Sequence, residues 1–476
     1  MDQSSNYFEF VTKLCGYACE NEIDDSFAFL CTIHAIEIPD LSYFEKLRLK
    51  YPDSILAKPI FLRYQHYFQE IHDWDLYLQA TEYAIAQQPH DWILLILERF
   101  KFEFFHSRSS MSAEQEDAFN KIGMLIQKNE TMSVFTPILH QTKANLYYAE
   151  GSLDAAVSEL MKSVDLYQCQ NDVIHAMHIM RFIVLAIRNF DIKESIKWWK
   201  QAFNLCQKLG FVDGDITTWT IRGTICSTRG DFNGAEESYV KAIELTHKTH
   251  PRYPLRALPT NLMFAYNEMR RYRDALEWAE DDNAPFVASE PMTVLGITLL
   301  NKARAQIAMG WLQEAENNIS VGHKNILRIG REKNLADYYL VSGLLEKAKG
   351  RYFDAEESFR KGYEAANSSN QQNRINSCCL RLAELQVQTV DSETEDILHR
   401  KDNDWVSFIE MRARNRGYPG ILGQALILKA MYLNKLSRFG EAKKALEEAI
   451  PIANRPGSRY LHFFLKDVMN LLKHTE

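Results

Sequence analysis

Residues 230–242, GDFNGAEESYVKA, show most clearly the pattern from which the fold is predicted. After the glycine come a large apolar residue at the second position, alanine at the fifth, an aromatic residue at the ninth and a small residue at the twelfth: Phe232, Ala235, Tyr239 and Ala242. Successive offsets differ by three or four residues, so these side chains share one face of a helix. The small residues let that face approach its neighbours closely. The stretch therefore predicts a turn followed by the second helix of a tightly packed helix pair.

The same pattern recurs along the chain with a nearly constant step. A clear copy starts at Gly350, and further copies, two of them weaker, start at His72, Gly151, Phe190, Arg270, Gly310 and Ser437. The turns at 151, 190, 230, 270, 310 and 350 are about 40 residues apart, and steps of about 40 add turns near 39, 72, 111 and 391. The turn at Ser437 follows after a longer step, with about seven extra residues. This register predicts eleven helix pairs.

The first helix of each pair carries a complementary small residue seven positions before the turn. The members are Ala144, Gly223, Ala303, Gly343 and Ala430. A single pair cannot bury such faces alone, whereas stacked pairs bury them against each other. An all-α solenoid is therefore predicted.

The motif Gly-x-aromatic-x-x-Ala-x-x-x-aromatic-x-x-Ala resembles the tetratricopeptide (TPR) repeat, over residues 61–366 and again at 418–453. The resemblance implies a TPR-like superhelical solenoid of about eleven antiparallel helix pairs. The step of about 40 residues exceeds the usual TPR step of about 34 and lies in the range of HEAT and armadillo repeats. Two helices per step and the matching small and large positions favour TPR. Extended repeats of this kind resemble those of bacterial regulatory and peptide-sensing proteins and of eukaryotic scaffolds.

Five segments are expected along the chain. They are a helical cap or degenerate repeat at 1–60, degenerate pairs at 61–135, a regular array at 136–366, an irregular pair with an insertion at 367–416, and a last repeat with a capping helix at 417–476. The capping helix is expected to be apolar on one side, with Leu461, Phe464, Leu465, Val468 and Leu471.

Composition narrows the function classes. A net charge of −8 gives no electrostatic footprint for nucleic acid. Two short basic runs, Arg270, Arg271, Arg273 and Arg412, Arg414, Arg416, are expected to be solvated helix ends. The apolar runs are too short for membrane insertion, and the N-terminus lacks the features of a signal peptide. The eight cysteines have no metal-type spacing and are expected to be buried, reduced thiols, so a cytoplasmic location is predicted.

The sequence contains no pattern that indicates an enzyme. It lacks a phosphate-binding glycine loop, a nucleophile elbow and a zinc-protease helix. His175 with His178, and His247 with His250, lie about one helical turn apart, but neither pair has a third ligand at a suitable spacing. Asp281–Asp282 is expected to be a loop rather than an acid/base pair. No metal and no cofactor are predicted.

The TPR resemblance implies that the first helix of each pair lines a concave groove, with groove residues 13, 10, 6 and 3 positions before the turn. The resulting candidates for partner binding are Gln141, Asn145, Tyr148, Met180, Thr217, Thr220, Thr224, Thr260, Phe264, Asn267 and Arg304. The same offsets reach Asp337 and Lys347. Threonine is a poor choice for an exposed helix face, so its hydroxyls are interpreted as ligands for a peptide backbone. The alternative is that these residues pack inside a tight superhelix.

The leading hypothesis is a scaffold or adaptor that binds a partner protein or peptide in the groove. The alternative is a regulatory sensor whose repeats respond to a small peptide or metabolite. The clamp for C-terminal carboxylates known in some TPR proteins needs Lys and Asn one turn apart. The matches, Lys200–Asn204 and Lys466–Asn470, lie on a second helix and in the cap. Such a clamp is therefore not predicted.

Overall fold

A computed structural model describes residues 3–35, 42–68, 74–108, 113–128, 130–149, 152–188, 191–209, 212–249, 257–280, 292–328, 335–390 and 404–473. Within these ranges the chain is helical and contains no β-strand. None of the helices in them is both long and apolar enough to cross a membrane.

The described residues form 24 α-helices. They are α1 (Gln3–Glu20), α2 (Asp25–Ala35), α3 (Ser42–Lys50), α4 (Lys58–Phe68), α5 (Trp74–Ala86), α6 (Asp91–Arg108), α7 (Ala113–Lys128), α8 (Thr136–Ala149), α9 (Leu153–Cys169), α10 (Val173–Ile187), α11 (Ile192–Leu209), α12 (Val212–Thr228), α13 (Phe232–Thr249), α14 (Ala257–Glu268), α15 (Tyr272–Glu280), α16 (Met292–Ala308), α17 (Leu312–Arg328), α18 (Leu335–Ala348), α19 (Tyr352–Ser368), α20 (Gln372–Thr389), α21 (Trp405–Arg416), α22 (Pro419–Lys435), α23 (Phe439–Ala453) and α24 (Leu461–Lys473). Short 3₁₀ segments span Glu130–Phe135 and Pro456–Ser458.

The predicted fold class is confirmed. Between α1 and α24, consecutive helices form antiparallel TPR-like pairs, from α2 with α3 to α22 with α23. The predicted turns at Gly230, Arg270, Gly310, Gly350 and Ser437 all have positive φ, between 59° and 83°. The turns predicted at 39, 72, 111, 151, 190 and 391 lie outside the described residues, as do His250, the Asp281–Asp282 pair and the stretch between α20 and α21.

In two of the helix pairs, a glycine of the first helix forms a socket for an aromatic ring of the second helix. A Cβ atom added to Gly223 of α12 would overlap the ring of Tyr239 on α13, and one added to Gly343 of α18 would overlap the ring of Phe359 on α19. Both rings are almost fully buried. Interiors at this packing density do not tolerate an added methyl group without a shift of their neighbours. The glycines thus set the separation of the two helices.

The second position after the turn is more variable than the pattern predicts. Phe232 is 3% exposed, whereas Tyr352 is 36% and Phe439 42% exposed. Each is the first residue of its helix and lies at the edge of the pair. It is therefore buried only where a side chain from elsewhere in the chain covers it. Tyr460 covers Phe232 with an edge-on ring contact at a centroid distance of 5.3 Å.

The helices fall into two compact units. Unit 1 comprises α1 to α11 with the first residues of α12, and Unit 2 comprises the rest of α12 to α24. In Unit 1, separate apolar clusters join α1 to α6, α6 to α8, and α8 to α11. In Unit 2 the largest cluster joins helices α18 to α22. This series of local cores is what stacked repeats produce. The five segment boundaries expected from the sequence remain predictions.

The C-terminal part of Unit 2 packs on its first helix pair. The backbone N–H of Gly420 donates to the carbonyl of Arg229 at 3.2 Å, and Gly420 fits against Gly230 so closely that a side chain there would overlap the backbone. Tyr460 continues this interface, because its hydroxyl donates to the Gly230 carbonyl at 3.0 Å. As predicted for the capping helix, Leu461, Leu465 and Val468 are buried.

Candidate binding cleft

A ladder of buried hydrogen bonds links α14 and α16 in Unit 2. The hydroxyls of Thr260 and Thr298 lie 2.7 Å apart, and the amide of Asn267 donates to the carbonyl of Asn301 at 3.0 Å. All four residues are buried. These first helices are therefore joined by polar rather than apolar contacts along this face.

The ladder continues into a buried ion cluster at the C-terminal end of α14. Glu268, which is 1% exposed, accepts from Arg304 of α16 at 2.9 Å. Two residues of α20 reach the same carboxylate, Ser377 at 2.6 Å and Arg381 at 3.2 Å. Because α20 comes more than 100 residues later in the chain, this carboxylate joins three helix pairs. Burial alone would raise the pKa of Glu268, but Arg304 and Arg381 lower it to about 2.

A second carboxylate, Glu384, lies one turn further along α20. Arg381 donates to it at 2.6 Å, and the cationic groups of Lys347 and Arg270 each lie 3.6 Å from it. Burial would raise the pKa of Glu384, but these three cations lower it to about 2. Burial lowers the pKa of Lys347, opposed by Glu384. Since 3.6 Å is beyond hydrogen-bonding distance, Lys347 and Arg270 are held less tightly than Arg381.

Glu384 lines an open cleft of about 560 Å³ in Unit 2, and the buried Glu268 pairs with two of its lining residues, Arg304 and Arg381. Its charged lining consists of Arg270, Arg304, Lys347, Arg381 and Glu384, and its other lining residues are Tyr272, Ile307, Ala308, Leu344, Ala348, Tyr352, Gln388 and Phe463. The wall thus combines cations with aromatic and aliphatic side chains. Pockets that bind peptides and organic ligands have this mixture of apolar area and a few polar groups.

An adjoining cavity of about 450 Å³ shares Arg270 and Phe463 with the cleft. Its other lining residues are Asn233, Met269, Arg271, Arg459 and Tyr460. The two cavities therefore meet at Arg270 and Phe463.

The shared wall is held by the C-terminal segment. The guanidinium of Arg270 stacks over the ring of Phe464 at 4.3 Å from its centroid. Tyr460 is buried, and its backbone N–H donates to Asn233 at 3.1 Å. Phe463, between them, is 59% exposed. A fixed segment thus presents a single uncovered aromatic ring at the junction of the two cavities.

The groove residues predicted in Unit 2 are mostly enclosed. Thr260 and Asn267 belong to the buried ladder, and Arg304 lines the cleft. Phe264 is also buried, with the guanidinium of Arg374 stacked 4.5 Å from the centroid of its ring. Thr220 and Thr224 are half-buried, and the Thr224 hydroxyl donates to the Thr220 carbonyl at 3.1 Å. Of this set, Arg304 is the residue that the structure brings into the cleft.

The groove residues predicted in Unit 1 have varied surroundings. Met180 is buried in an apolar core, and Gln141 is buried with its amide 2.9 Å from the hydroxyl of Tyr167. Asn145 and Thr217 are half-buried. Tyr148, in contrast, is 56% exposed. Of this set, Met180 and Gln141 are therefore enclosed, whereas the ring of Tyr148 is uncovered.

The basic run at 270–273 is exposed at the turn after α14, as expected, but two of its arginines also have partners there. Arg270 lines the cleft and stacks on Phe464, and Arg271 pairs with Glu236 at 2.7 Å. The reason is that α20 and α24 bring a carboxylate and an aromatic ring to this turn from far along the chain. In the second run, Arg412 donates to Asn376 at 3.0 Å rather than ending in solvent.

Several lining residues were not among the predicted binding residues, although five of them fit the groove offsets: Ile307, Leu344, Lys347, Arg381 and Gln388. Arg381 and Gln388 lie 10 and 3 positions before the turn expected at 391, where groove side chains are sought. Phe463 belongs to the capping segment, so no repeat offset points to it. The repeat offsets therefore indicate lining residues on α20 but none on α24.

The histidine pair on α10 has partners within its own helix and cap. His175 contacts the carboxylate of Asp172 at 2.8 Å, and His178 contacts Arg181. Burial lowers the pKa of His178 well below its usual range. In the part of the chain that the structure describes, no group of three or more potential metal ligands occurs. His247 falls where side chains are not described.

No family model matches the sequence, and no curated protein matches it. Among solved structures, the chain is similar to a Rap protein complexed with competence and sporulation factor, at 12% identity and a TM-score of 0.40, over 84% of this chain and 97% of that one. It is also similar to the apo form of the quorum sensor NprR from B. thuringiensis, at 14% identity and a TM-score of 0.33, over 90% of this chain and 98% of that one.

A third similar structure is a signal transduction ATPase with numerous domains that has a tetratricopeptide repeat sensor, from Pyrococcus horikoshii. The identity is 14% and the TM-score 0.41, over 85% of this chain and 57% of that one. At these identities and TM-scores, no property of the three proteins is transferred to this chain.

Proposed function

We propose that this chain is a scaffold or adaptor that binds a peptide, or an extended segment of a partner protein, in the cleft of Unit 2. The observation that carries the proposal is the open cleft of about 560 Å³ with an exposed aromatic ring, Phe463, at its junction with a second cavity. Aromatic side chains presented on a fixed support are the usual energetic anchors of protein interfaces. Phe463 and Tyr352 are the anchors in this proposal.

The polar lining supports binding rather than acid/base catalysis. A general acid or base works best when its pKa is near the working pH. Glu268 and Glu384 both have pKa values lowered to about 2 by neighbouring cations, so each is a fixed anion at neutral pH. Their role in this proposal is to hold Arg381, Arg304 and Lys347 in position around the ligand.

The residues predicted from the repeat offsets divide in this proposal. Arg304 contributes to the cleft itself, and Thr260, Phe264 and Asn267 support it from the buried ladder. In Unit 1, Tyr148 offers an exposed ring for a second, independent contact with a partner. All eight cysteines are unpaired thiols, which supports a reducing, cytoplasmic setting for this adaptor.

A regulatory sensor is the second candidate, and the ion cluster favours it. Arg270, Lys347 and Glu384 belong to three different helix pairs and meet at the cleft. A ligand that displaces one of these contacts would change how the pairs pack. A sensor is expected to show a ligand-dependent change in hydrogen exchange in α14, α18 and α20, whereas a passive scaffold is expected to show protection at the cleft alone.

Photocrosslinking tests the proposed site. A benzoylphenylalanine residue is introduced at Gln388, on the rim of the cleft, and in a second protein at Glu237, an exposed position of α13. We expect crosslinked partner from cells with the Gln388 probe, loss of that product when Phe463 is also changed to Ala, and no such product with the Glu237 probe. Equal products at both positions, or no effect of Phe463→Ala, would contradict the cleft as the binding site.

A further inference from the structure

Resting on the proposed function, we infer that the cleft and its adjoining cavity recognise an acidic peptide segment, one with at least two carboxylates and one large apolar side chain. The inference comes from the signs of the charges in the walls and from the way in which the two cavities join at Arg270 and Phe463.

The lining residues carry a clear excess of positive charge. Across both cavities they include six cations, Arg270, Arg271, Arg304, Lys347, Arg381 and Arg459, and one carboxylate, Glu384. Three more carboxylates, Glu268, Glu236 and Asp274, pair with these cations from outside the lining. Among the residues that the structure describes, six cations against four carboxylates leave an excess of two positive charges. The whole chain, in contrast, carries a net charge of −8.

This local reversal of sign matters because the cavities concentrate the field. A cleft lined by one sign of charge between low-dielectric walls attracts the opposite sign and repels its own. An acidic protein with a cationic cleft directs a negatively charged segment to that one place. The rest of its surface, on average, discourages the same segment.

Several of the cations are available to a ligand. Arg270 and Lys347 each lie 3.6 Å from Glu384, so neither donates a close hydrogen bond to it. Arg459 is exposed and forms no ion pair with another described residue. A carboxylate near Arg270 and Lys347 would share three cations with Glu384.

The geometry requires more than one charge. Arg270, Lys347 and Arg381 serve the larger cleft. In the adjoining cavity Arg271 is paired with Glu236 and Asp274, so Arg459 and the shared Arg270 are the cations that serve a ligand there. Phe463 lines both, so a segment that passes from one cavity to the other crosses its exposed ring. An apolar side chain at that crossing buries the ring, and carboxylates on either side of it meet the two sets of cations.

The probe for the test is a displayed library of random dodecapeptides, selected on the full chain. We expect the selected peptides to be enriched in Asp and Glu around a large apolar residue. Synthetic copies with Gln and Asn in place of the acids should bind at least about tenfold more weakly, and affinity should fall with added salt.

Matched variants test which residues bind the selected peptides. Arg459→Gln removes a cation that pairs with no described residue, so the fold should be unaffected, and binding should weaken about three- to tenfold. Arg455→Gln changes an exposed arginine of the same segment that lines neither cavity, and binding should be unchanged. On α24, Phe463→Ala should weaken binding, whereas Met469→Ala, also at an exposed position, should not.

The outcomes separate the two proposals. Selected peptides that depend on Phe463 but show no acidic enrichment and no response to Arg459→Gln overturn the inference and leave the proposed function standing. If selection yields no peptide whose binding depends on Phe463, both proposals are overturned.

Discussion

Units 1 and 2 share one repeat pattern but have different types of residue at the corresponding positions of their first helices. In α10 of Unit 1 these positions are Met177, Met180, Val184 and Ile187, all buried in an apolar core. In α14 and α16 of Unit 2 they include Thr260, Asn267 and Arg304, buried in a hydrogen-bonded ladder. The repeat step therefore fixes where the helices lie without fixing the chemistry on this face.

The apolar face of α10 and the hydrogen-bonded faces of α14 and α16 have different physical properties. Apolar side chains are non-directional and tolerate adjustment, whereas buried polar groups must each find a partner. A buried polar cluster in which most groups are hydrogen-bonded permits few alternative arrangements, and a carboxylate buried there keeps cations in place near a cavity. The polar face in Unit 2 is thus suited to a binding site, and the apolar face in Unit 1 is suited to a structural core.

The largest effect is expected from removing the central carboxylate of Unit 2. Glu268→Ala leaves Arg304 and Arg381 buried without their shared counter-ion, and breaking such a pair costs about 3–5 kcal/mol of stability. The measurement is urea unfolding monitored by circular dichroism. Glu277→Ala, at an exposed position of α15, is the control and should change stability by less than about 0.5 kcal/mol.

A triple replacement tests whether the polar cluster can be exchanged for apolar side chains. In a chain that also carries Glu384→Gln, changing Glu268, Arg304 and Arg381 to Met removes the buried charges of the cluster, and stability should recover relative to Glu268→Ala. A triple variant no more stable than the single one would mean that the polar cluster cannot be exchanged for apolar side chains.

A smaller loss of folding stability is expected when the pH is lowered. The folded-state pKa values of Glu268 and Glu384 are lowered to about 2 from an ordinary value of 4.5. The folded state therefore binds fewer protons than the unfolded state between these values, and stability falls as the pH drops from about 4.5 towards 2. Each carboxylate contributes at most about 3 kcal/mol. The apolar face of α10 contributes nothing to this dependence.

Unfolding midpoints measured from pH 5 to pH 2.5 check this expectation. The slope of stability against pH should be shallower in Glu268→Gln than in the original chain, because one of the two carboxylates is missing. Identical slopes would show that Glu268 is not held ionised by its arginines.

The fold was predictable because its determinants are local. The sockets formed by Gly223 with Tyr239 and by Gly343 with Phe359 are encoded within one repeat, and the pattern identified both small residues. The turns at Gly230 and Gly350 follow from the same spacing. Each of these contacts lies within about 20 residues along the chain, where a repeat register is a reliable guide.

The site was less predictable because its contacts come from distant parts of the chain. Arg270 fits a solvated helix end when only its neighbours in sequence are considered, but Glu384 and Phe464 reach it from α20 and α24. Ser377 likewise meets Glu268 across more than 100 residues. The repeat offsets identified Arg304 and Lys347 in the lining, whereas nothing in the pattern specifies that α20 faces α14. Phe463 lies beyond the last repeat and was missed for the same reason.

The smallest effect is expected at the interface that holds the cleft wall. The buried hydroxyl of Tyr460 donates to the Gly230 carbonyl at 3.0 Å and accepts from Gln424 at 2.8 Å. Tyr460→Phe keeps the ring that covers Phe232 and removes these hydrogen bonds together with a longer one, of 3.5 Å, to the Gly420 carbonyl. It should therefore cost only about 1–2 kcal/mol. Because the lost contacts join the C-terminal segment to the first pair of Unit 2, the change should be local. Hydrogen exchange should accelerate at residues 456–464 and at the turn around Gly230, with little change in α10 of Unit 1. Tyr432→Phe, at a hydroxyl without a hydrogen bond among the described residues, is the control. Faster exchange throughout both units would mean that this interface supports the whole chain rather than the cleft wall alone.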